Sequence, residues 1–527
     1  MNFEELIETL SKGSATAVTT LESHVAELEA LKAYLYVQTP VEQALRTEID
    51  KNLKQPRVIF VCGSSGDGKS ELFRRIHSDY ATKVRFHLDA THSFDPQKDA
   101  IQTLDDQFSA FKAGNQSLVV GINIGMLGNY AADGNPTHSD IKSAISKYLE
   151  PSEAENPTCA FVDFRNYPKF RITSQHVDAQ FIGQLLERLV TSEPNNPFFV
   201  AFERTNRESQ LARNFYLLQI PEVREKILDV LLHAHLRYDQ FLTARTVLDF
   251  VHRILTGDGY LFDNIFRLSG SDLLEALQKL DPCTKRSKRL DLFRIRTKLE
   301  LFETEFLEFR DAASEFLGTK ALEPSSWIRF FYMMQDVEIG NNYHQSIAAD
   351  LKETLFDDYR QFWLLHSEYD GHRDKRTKLR EFYKDVLIRG LISFANRIAP
   401  EIKKDRFFLG KLNGYAMSAK AYLQPSLNRI AHAAGSKELR HFEIILDLDE
   451  KPLVPIRVTV AFLELLQRII RGYRPNKHDK TSVVVLEELV DAVTRQVRTS
   501  DSLHIQYGHH EWVLRNDVSN DEIVVES

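Results

Sequence analysis

Eight consecutive residues, Gly63-Ser64-Ser65-Gly66-Asp67-Gly68-Lys69-Ser70, have the types and the spacing needed to hold a chain of phosphates. They match G-x-x-x-x-G-K-[ST] at every fixed position. Phosphate oxygens need many donors at close range. Glycines let the main chain curl so that several N–H groups point inward with no Cβ in the way. A helix starting at the end of such a loop adds the partial positive charge of its N-terminus. Lys69 would place a point charge on the β- and γ-phosphates, and Ser70 would offer a hydroxyl to Mg2+. Glu71 closes the candidate contact segment. Asp67 favours the turn and is given no chemical role. The alternative is a strand–turn–helix that matches the spacing by chance.

Hydrolysis needs more than this loop. A carboxylate must order the metal shell and the attacking water. In a parallel sheet it belongs at the C-terminal edge of a neighbouring strand. Three expected strand ends offer one: Asp89 in His87-Leu88-Asp89, Asp163 in Phe161-Val162-Asp163, and Glu203 after Phe202. Asp89 is the first choice, as catalytic residue and metal ligand, and Asp163 the runner-up. An aspartate there can instead only cap a helix or turn. Asn123, at the end of Val119-Val120-Gly121-Ile122, resembles the water-holding sensor 1 asparagine of AAA+-type ATPases; it can equally begin a turn. If its strand is the one that should bear the acid, hydrolysis is in doubt. Arg245, in Leu242-Thr243-Ala244-Arg245, resembles a sensor 2 arginine, whose planar fork suits phosphate; an exposed helix arginine is the alternative. Arg204 and Arg207 are weaker candidates for a finger acting across the subunit boundary of a homo-oligomer.

These residues need a scaffold, and the hydrophobic pattern supplies an α/β one. Val58-Ile59-Phe60-Val61-Cys62 is a continuous apolar run followed by glycine, the pattern of a strand buried on both faces. Further strands are expected at Val84–Leu88, Leu118–Ile124, Cys159–Phe164 and Phe198–Phe202, with helices at Asp99–Lys112 and Ser174–Val190 between them. Alternation of this kind predicts a parallel sheet covered by helices, an AAA+-like P-loop NTPase core over 56–205. Before it, 1–55 reads as helical: Leu21, Val25, Leu28, Leu31 and Leu35 make one apolar face, and a second helix follows Pro40. After it, 206–300 reads as a helical lid (helices at Val223–His233 and Thr243–Leu255) and 301–439 as a further helical domain. Residues 440–527 read as mixed α/β, with strands at Phe442–Leu446 and Ile456–Val460, a helix at Ala461–Ile470 and a hairpin over Ser502–Leu514. His509 and His510 fall in that hairpin and are read as structural.

The 527 residues carry a formal net charge of -8, which gives no global electrostatic footprint of a DNA-binding protein. Two local basic clusters stand out: Lys285, Arg286, Lys288, Arg289, Arg294 and Arg296, and then Arg373, Lys375, Arg376, Lys378 and Arg380. Each is a candidate contact for DNA or for an acidic partner, against the alternative of a solvated helix face. The three cysteines, Cys62, Cys159 and Cys283, are not in metal or disulfide spacing, which fits a reducing compartment. The acidic N-terminus lacks the order of a secretion signal, and no apolar run is long enough to cross a bilayer. A cytoplasmic protein with no membrane contact is the expectation. No nuclease pattern is found.

With the glycine-rich segment, His87-Leu88-Asp89-Ala90-Thr91-His92-Ser93, Gly121-Ile122-Asn123-Ile124-Gly125-Met126-Leu127 and Asn214-Phe215-Tyr216-Leu217-Leu218 resemble the bacterial DNA-phosphorothioation-dependent restriction family DptF (DndF). The resemblance covers the core and the lid, and the chain length fits. It implies an ATP- and Mg2+-binding ATPase subunit of a DNA restriction module for anti-phage defence, which attacks DNA lacking sulfur in its backbone. DptG and the helicase-like DptH would be its partners, and cleavage would lie in another subunit. A nucleotide-binding switch that recruits partners without hydrolysis is the second reading. A small-molecule kinase is a third, disfavoured by the long regions beyond the core.

Overall fold

The computed structural model describes residues 1–11, 25–63, 69–88, 90, 98–149, 158–167, 170–172, 177–240, 242–433, 439–498, 502–517 and 522–526. Leu21 of the expected first helix face therefore lies outside the described residues, as do Ser64 to Gly68, Asp89 and the phrase Thr91-His92-Ser93. The fold is mixed α/β, with one four-stranded parallel sheet and several antiparallel ones.

The parallel sheet is made of β1 (Val58–Cys62), β2 (Arg85–His87), β3 (Leu118–Ile122) and β4 (Cys159–Asp163), in the order β2-β3-β1-β4. The register runs Cys62 beside Ile122 on one side and beside Asp163 on the other. Each residue of β1 is fully buried, because both faces are covered. Ile59 and Val61 pack with Val41, Leu45, Ile49, Phe73 and Ile76 from the Pro40–Lys51 and Lys69–Tyr80 helices. Val58, Phe60 and Cys62 face Leu104, Phe108, Leu127, Tyr130, Ile141 and Ile145 from the helices Ala100–Lys112, Ile124–Asp133 and Ser139–Leu149. At roughly 1.5–3 kcal/mol for each large apolar side chain, this two-sided burial is what an uninterrupted apolar pentapeptide provides.

Phe198–Phe202 is not the expected strand. It lies in the helix Pro197–Glu203. A short apolar run fits either state, and its neighbours decide. Asn196 accepts from Phe198 N at 3.0 Å, and Pro197 brings a helix-compatible φ to the first turn. Between 171 and 190 the chain first forms the two-residue pair β5 (Arg171–Ile172) and β6 (Val177–Asp178), and only then the helix Gln180–Val190.

Residues 206–300 are helical. Their corner is tied by two buried asparagines. Asn214 donates to Leu255 O and Gly259 O, both at 3.0 Å, and accepts from Leu261 N at 2.8 Å. Asn264 donates to Ile254 O at 2.9 Å and Gly259 O at 2.8 Å. The Asn214-Phe215-Tyr216-Leu217-Leu218 phrase is thus structural in effect, because its amide satisfies the main chain where two helices end.

The region 301–439, expected to be helical, contains β7 (Arg406–Leu412), β8 (Tyr415–Lys420) and β9 (Leu423–Pro425). The missed signal is Asn413-Gly414, both with positive φ (49° and 88°), the two-residue turn that joins antiparallel strands. Phe442–Leu446 resolves into β10 (Phe442–Ile444) and the start of β11 (Leu446–Leu448). β11 pairs with β9 and β12 (Lys451–Pro452), while β10 pairs with β13 (Ile456–Val458). The helix Val460–Ile470 and the hairpin β14 (Ser502–Tyr507) to β15 (His510–Asp517) form as expected, and β16 (Glu522–Glu526) extends the sheet of β7, β8, β14 and β15.

By contact the chain divides into two compact units. The first takes Met1–Phe170, Ala179–Leu231 and Gln240–Leu351 and contains the parallel sheet. The second takes Arg171–Asp178, Leu232–Asp239 and Lys352–Ser527. Among the described residues no helix is long and apolar enough to cross a membrane.

Candidate phosphate-binding site

The glycine-rich segment leaves the sheet at the C-terminal end of its inner strand β1 and enters the helix Lys69–Tyr80. Gly63, buried, donates to Ile122 O at 3.2 Å, which extends the β1–β3 pairing by one residue. The Lys69 ammonium donates to Gly63 O at 2.7 Å. That bond ties the first residue of the helix back to the end of β1. An ammonium held on a neutral carbonyl can be drawn to an anion, because a charge-assisted bond is roughly twice as strong. Ser70 and Glu71 follow in the first turn of the same helix. The donor types at these positions fit a nucleotide phosphate chain with its divalent cation. Among the described residues no three His, Cys, Asp or Glu side chains converge on a metal-sized site.

The strands beside β1 place the other candidates. β3 is its direct neighbour, and β2 lies one strand further, about 10 Å from β1 at ~4.8 Å per strand. Asn123 is therefore at the tip adjacent to the loop. Its side-chain oxygen caps the helix Ile124–Asp133, accepting from Met126 N at 2.7 Å. The turn-forming alternative is thus the state observed, with the side-chain oxygen engaged by the helix it caps. Asp89 lies outside the described residues, between the exposed Leu88 and the buried Ala90. Ala90 N donates to Gly121 O at 2.9 Å and pins this turn to β3. Gly121 must be glycine: a Cβ there would lie 2.4 Å from Leu88 O and 2.5 Å from the Phe73 ring.

Asp163 ends β4 on the other side of β1 and is 3% exposed. Its carboxylate accepts from Arg165 N and Arg165 Nε, both at 2.8 Å, pairs with a terminal Arg165 nitrogen at 2.6 Å, and takes the Tyr148 hydroxyl. Burial acts to raise its pKa, but these hydrogen bonds outweigh burial and hold it below the usual carboxylate range. The Arg165 guanidinium and the Tyr148 hydroxyl thus share Oδ2, while Oδ1 accepts from the Arg165 main chain. Glu203, expected at a strand end, instead ends a helix. It is exposed there and pairs with Arg207 at 2.6 Å. Arg204 is the exposed residue after it, and the Arg207 guanidinium also covers the Phe202 ring.

Arg245 is exposed in the first turn of the helix Ala244–Thr256, after the Thr243 cap. Among the described residues no hydrogen bond or ion pair ties it to another element. In the first basic cluster most charges are used internally. Lys285 donates to Leu351 O at 2.6 Å, and Arg286 and Arg294 share Asp291 at 2.7 and 2.8 Å. Arg294 also donates to Cys283 O and Lys285 O, Arg289 to Ser346 O, and Arg296 pairs with Glu303. Lys288 is exposed on the helix Lys288–Lys298, beside an uncovered apolar stripe of Leu292, Ile295 and Leu299. In the second cluster Lys375 bonds Glu368 O and Asp370, and Arg376 bonds Gly371 O.

Arg165 and Tyr148 did not stand out in the sequence. The one available signal was an arginine two residues past a strand-end aspartate. No protein-family model, no curated protein and no solved structure matches this chain.

Proposed function

We propose that the chain is a P-loop nucleoside triphosphatase that binds ATP with Mg2+ at Gly63–Ser70, and that it serves as the nucleotide-driven subunit of a cytoplasmic DNA restriction complex. The observation that carries the nucleotide reading is the junction itself. An inner parallel strand delivers G-x-x-x-x-G-K-S to a helix N-terminus, and the Lys69 ammonium reaches back to Gly63 O. On this reading the loop N–H groups cradle the phosphates, Lys69 exchanges the Gly63 carbonyl for phosphate oxygen, and Asn123 directs its amide nitrogen from the neighbouring strand tip. Mg2+, when bound with the nucleotide, would neutralise phosphate charge. Asp89 remains the proposed acid and metal ligand, since Asp163 is ion-paired and Glu203 sits on a helix. The restriction role and the partners DptG and DptH rest on the family resemblance.

A second reading is a switch that binds ATP without turning it over. What favours it is that two of the candidate polar groups, the Asn123 oxygen and the Asp163 carboxylate, are already committed within the chain. Two measurements separate the readings. Calorimetry with MgATP should detect binding by the wild type and at least tenfold weaker binding by Lys69→Ala. Phosphate release, with and without DNA, should be abolished by Asp89→Asn if the chain hydrolyses. Binding without release, even with DNA and partners present, would establish the switch. No binding at millimolar MgATP would end both. For the DNA contact, Lys288→Glu is the appropriate probe, because Lys285 and Arg294 hold the fold; it should weaken duplex binding and lower its salt dependence.

A further inference from the structure

We propose that Arg165 is a phosphate-binding residue of the nucleotide site, held ready by Asp163 and Tyr148 as positioning residues. The inference rests on the loop reading above and adds to it a residue that no motif contains.

The geometry starts from register. β4 runs parallel to β1, and Asp163 lies beside Cys62, the residue before Gly63. Arg165 follows by two residues, so it leaves the sheet at the same C-terminal edge as the glycine-rich segment. Ligands of open parallel sheets bind at that edge. Its guanidinium is oriented by a planar contact. Nε donates to Asp163 at 2.8 Å, one terminal nitrogen meets Asp163 at 2.6 Å, and the same group reaches the Tyr148 hydroxyl at 3.2 Å. Tyr148 is itself fixed, stacked on Phe161 at 4.1 Å with an interplanar angle of 1°, and Phe161 stacks on Phe60 of β1 at 5.3 Å. The aspartate is buried, yet the arginine side chain is 63% exposed.

That asymmetry is informative. An arginine needed only to neutralise Asp163 gains nothing from keeping most of its surface in solvent. An arginine presented to a ligand needs its rotamer fixed beforehand and its outer donors free. Lys69 and Arg165 also act on one buried group. Burial and then the Asp163 charge push the Cys62 thiol up to about 12, while Arg165 and Lys69 both pull it down. Lys69 follows the loop that leaves β1, and Arg165 follows β4 at the same edge of the sheet. Together they would supply a point charge and a planar fork to one polyphosphate.

The test is MgATP affinity by calorimetry at two salt concentrations. Arg165→Gln leaves a buried carboxylate short of a partner, so Asp163→Asn/Arg165→Gln is made beside it to remove both charges together, and Arg165→Lys keeps charge without the fork. We expect at least tenfold weaker binding and a shallower salt dependence in Arg165→Gln and in the double variant, with partial recovery in Arg165→Lys. Circular dichroism matching the wild type should accompany the double variant. Wild-type affinity, within twofold, in the double variant would overturn the role of Arg165 and leave the loop reading intact. Absence of MgATP binding by the wild type would instead remove the loop reading, and the Arg165 role with it.

Discussion

His366 illustrates how one buried side chain makes stability depend on pH. It is 5% exposed, with Nδ1 at 2.7 Å from Phe362 O and Nε2 at 3.4 Å from the Tyr383 hydroxyl. Burial drives its pKa from 6.5 down to about 4, against the pull of the Phe362 carbonyl. Between those values the unfolded chain holds a proton that the folded chain does not, so stability falls as pH is lowered from 6.5 toward 4 and does not depend on this group below that. The full loss is about 3 kcal/mol at 1.36 kcal/mol per pH unit. Urea titrations monitored by tryptophan fluorescence should show this slope in the wild type and a flatter one in His366→Gln. Equal slopes in the two proteins would remove His366 as the source. At the same scale, Asp163 and Glu203 show why strand-end carboxylates could not be ranked from sequence. One is consumed by Arg165 and Tyr148, and the other is carried away by a helix. The arginine partners are near in sequence, Arg165 and Arg207, but Tyr148 and the helical state around Glu203 are not written beside the carboxylates.

At the scale of elements, the basic helix Lys288–Lys298 separates charges that build from charges that are free. Arg294 satisfies the carbonyls of Cys283 and Lys285 at 2.9 and 3.0 Å and pairs with Asp291. Arg294→Ala should therefore cost roughly 1–3 kcal/mol, because two half-buried carbonyls lose their donor. Lys288→Glu, on the exposed side, should stay within about 0.5 kcal/mol of the wild type. Thermal denaturation of the two variants checks this; equal Tm values would show that Arg294 holds nothing together. The parallel strands and their covering helices were legible because their signals are local and repeated. The pentapeptide Val58–Cys62 has nowhere to be but inside, and the helix expected at Asp99–Lys112 forms at Ala100–Lys112, capped by Asp99. Phe198–Phe202 failed because five apolar residues fit either state, and the cap at Asn196 with Pro197 decides. The strands around Asn413-Gly414 were lost in a long helical reading, although the turn dipeptide was visible.

On the scale of the whole molecule, the chain has two compact units, each with buried residues of its own. The glycine-rich segment and the parallel sheet fall in the first; His366 and the five-stranded antiparallel sheet fall in the second. A ligand that binds only the folded first unit should stabilise that unit by mass action, by about 2.7 kcal/mol at a hundredfold excess over Kd. Scanning calorimetry should therefore resolve two transitions, with MgATP raising one and leaving the other in place. A shift of neither, or of both equally, would count against a nucleotide site confined to the first unit.

What the sequence determined by itself is what depends on near neighbours along the chain: the loop spacing, the buried strand before it and the helix after it. Tertiary structure alone decided which strand lies beside β1, and so put the end of β3, with Asn123 after it, beside the end of β1 and set β2 one strand further away. It also closed Asp163 with an arginine and a tyrosine and tied up most of a basic cluster. The reason is physical. Local conformational preference is carried by a few consecutive residues, whereas strand order, and a partner such as Tyr148 that comes from another element, are set only when distant segments pack together.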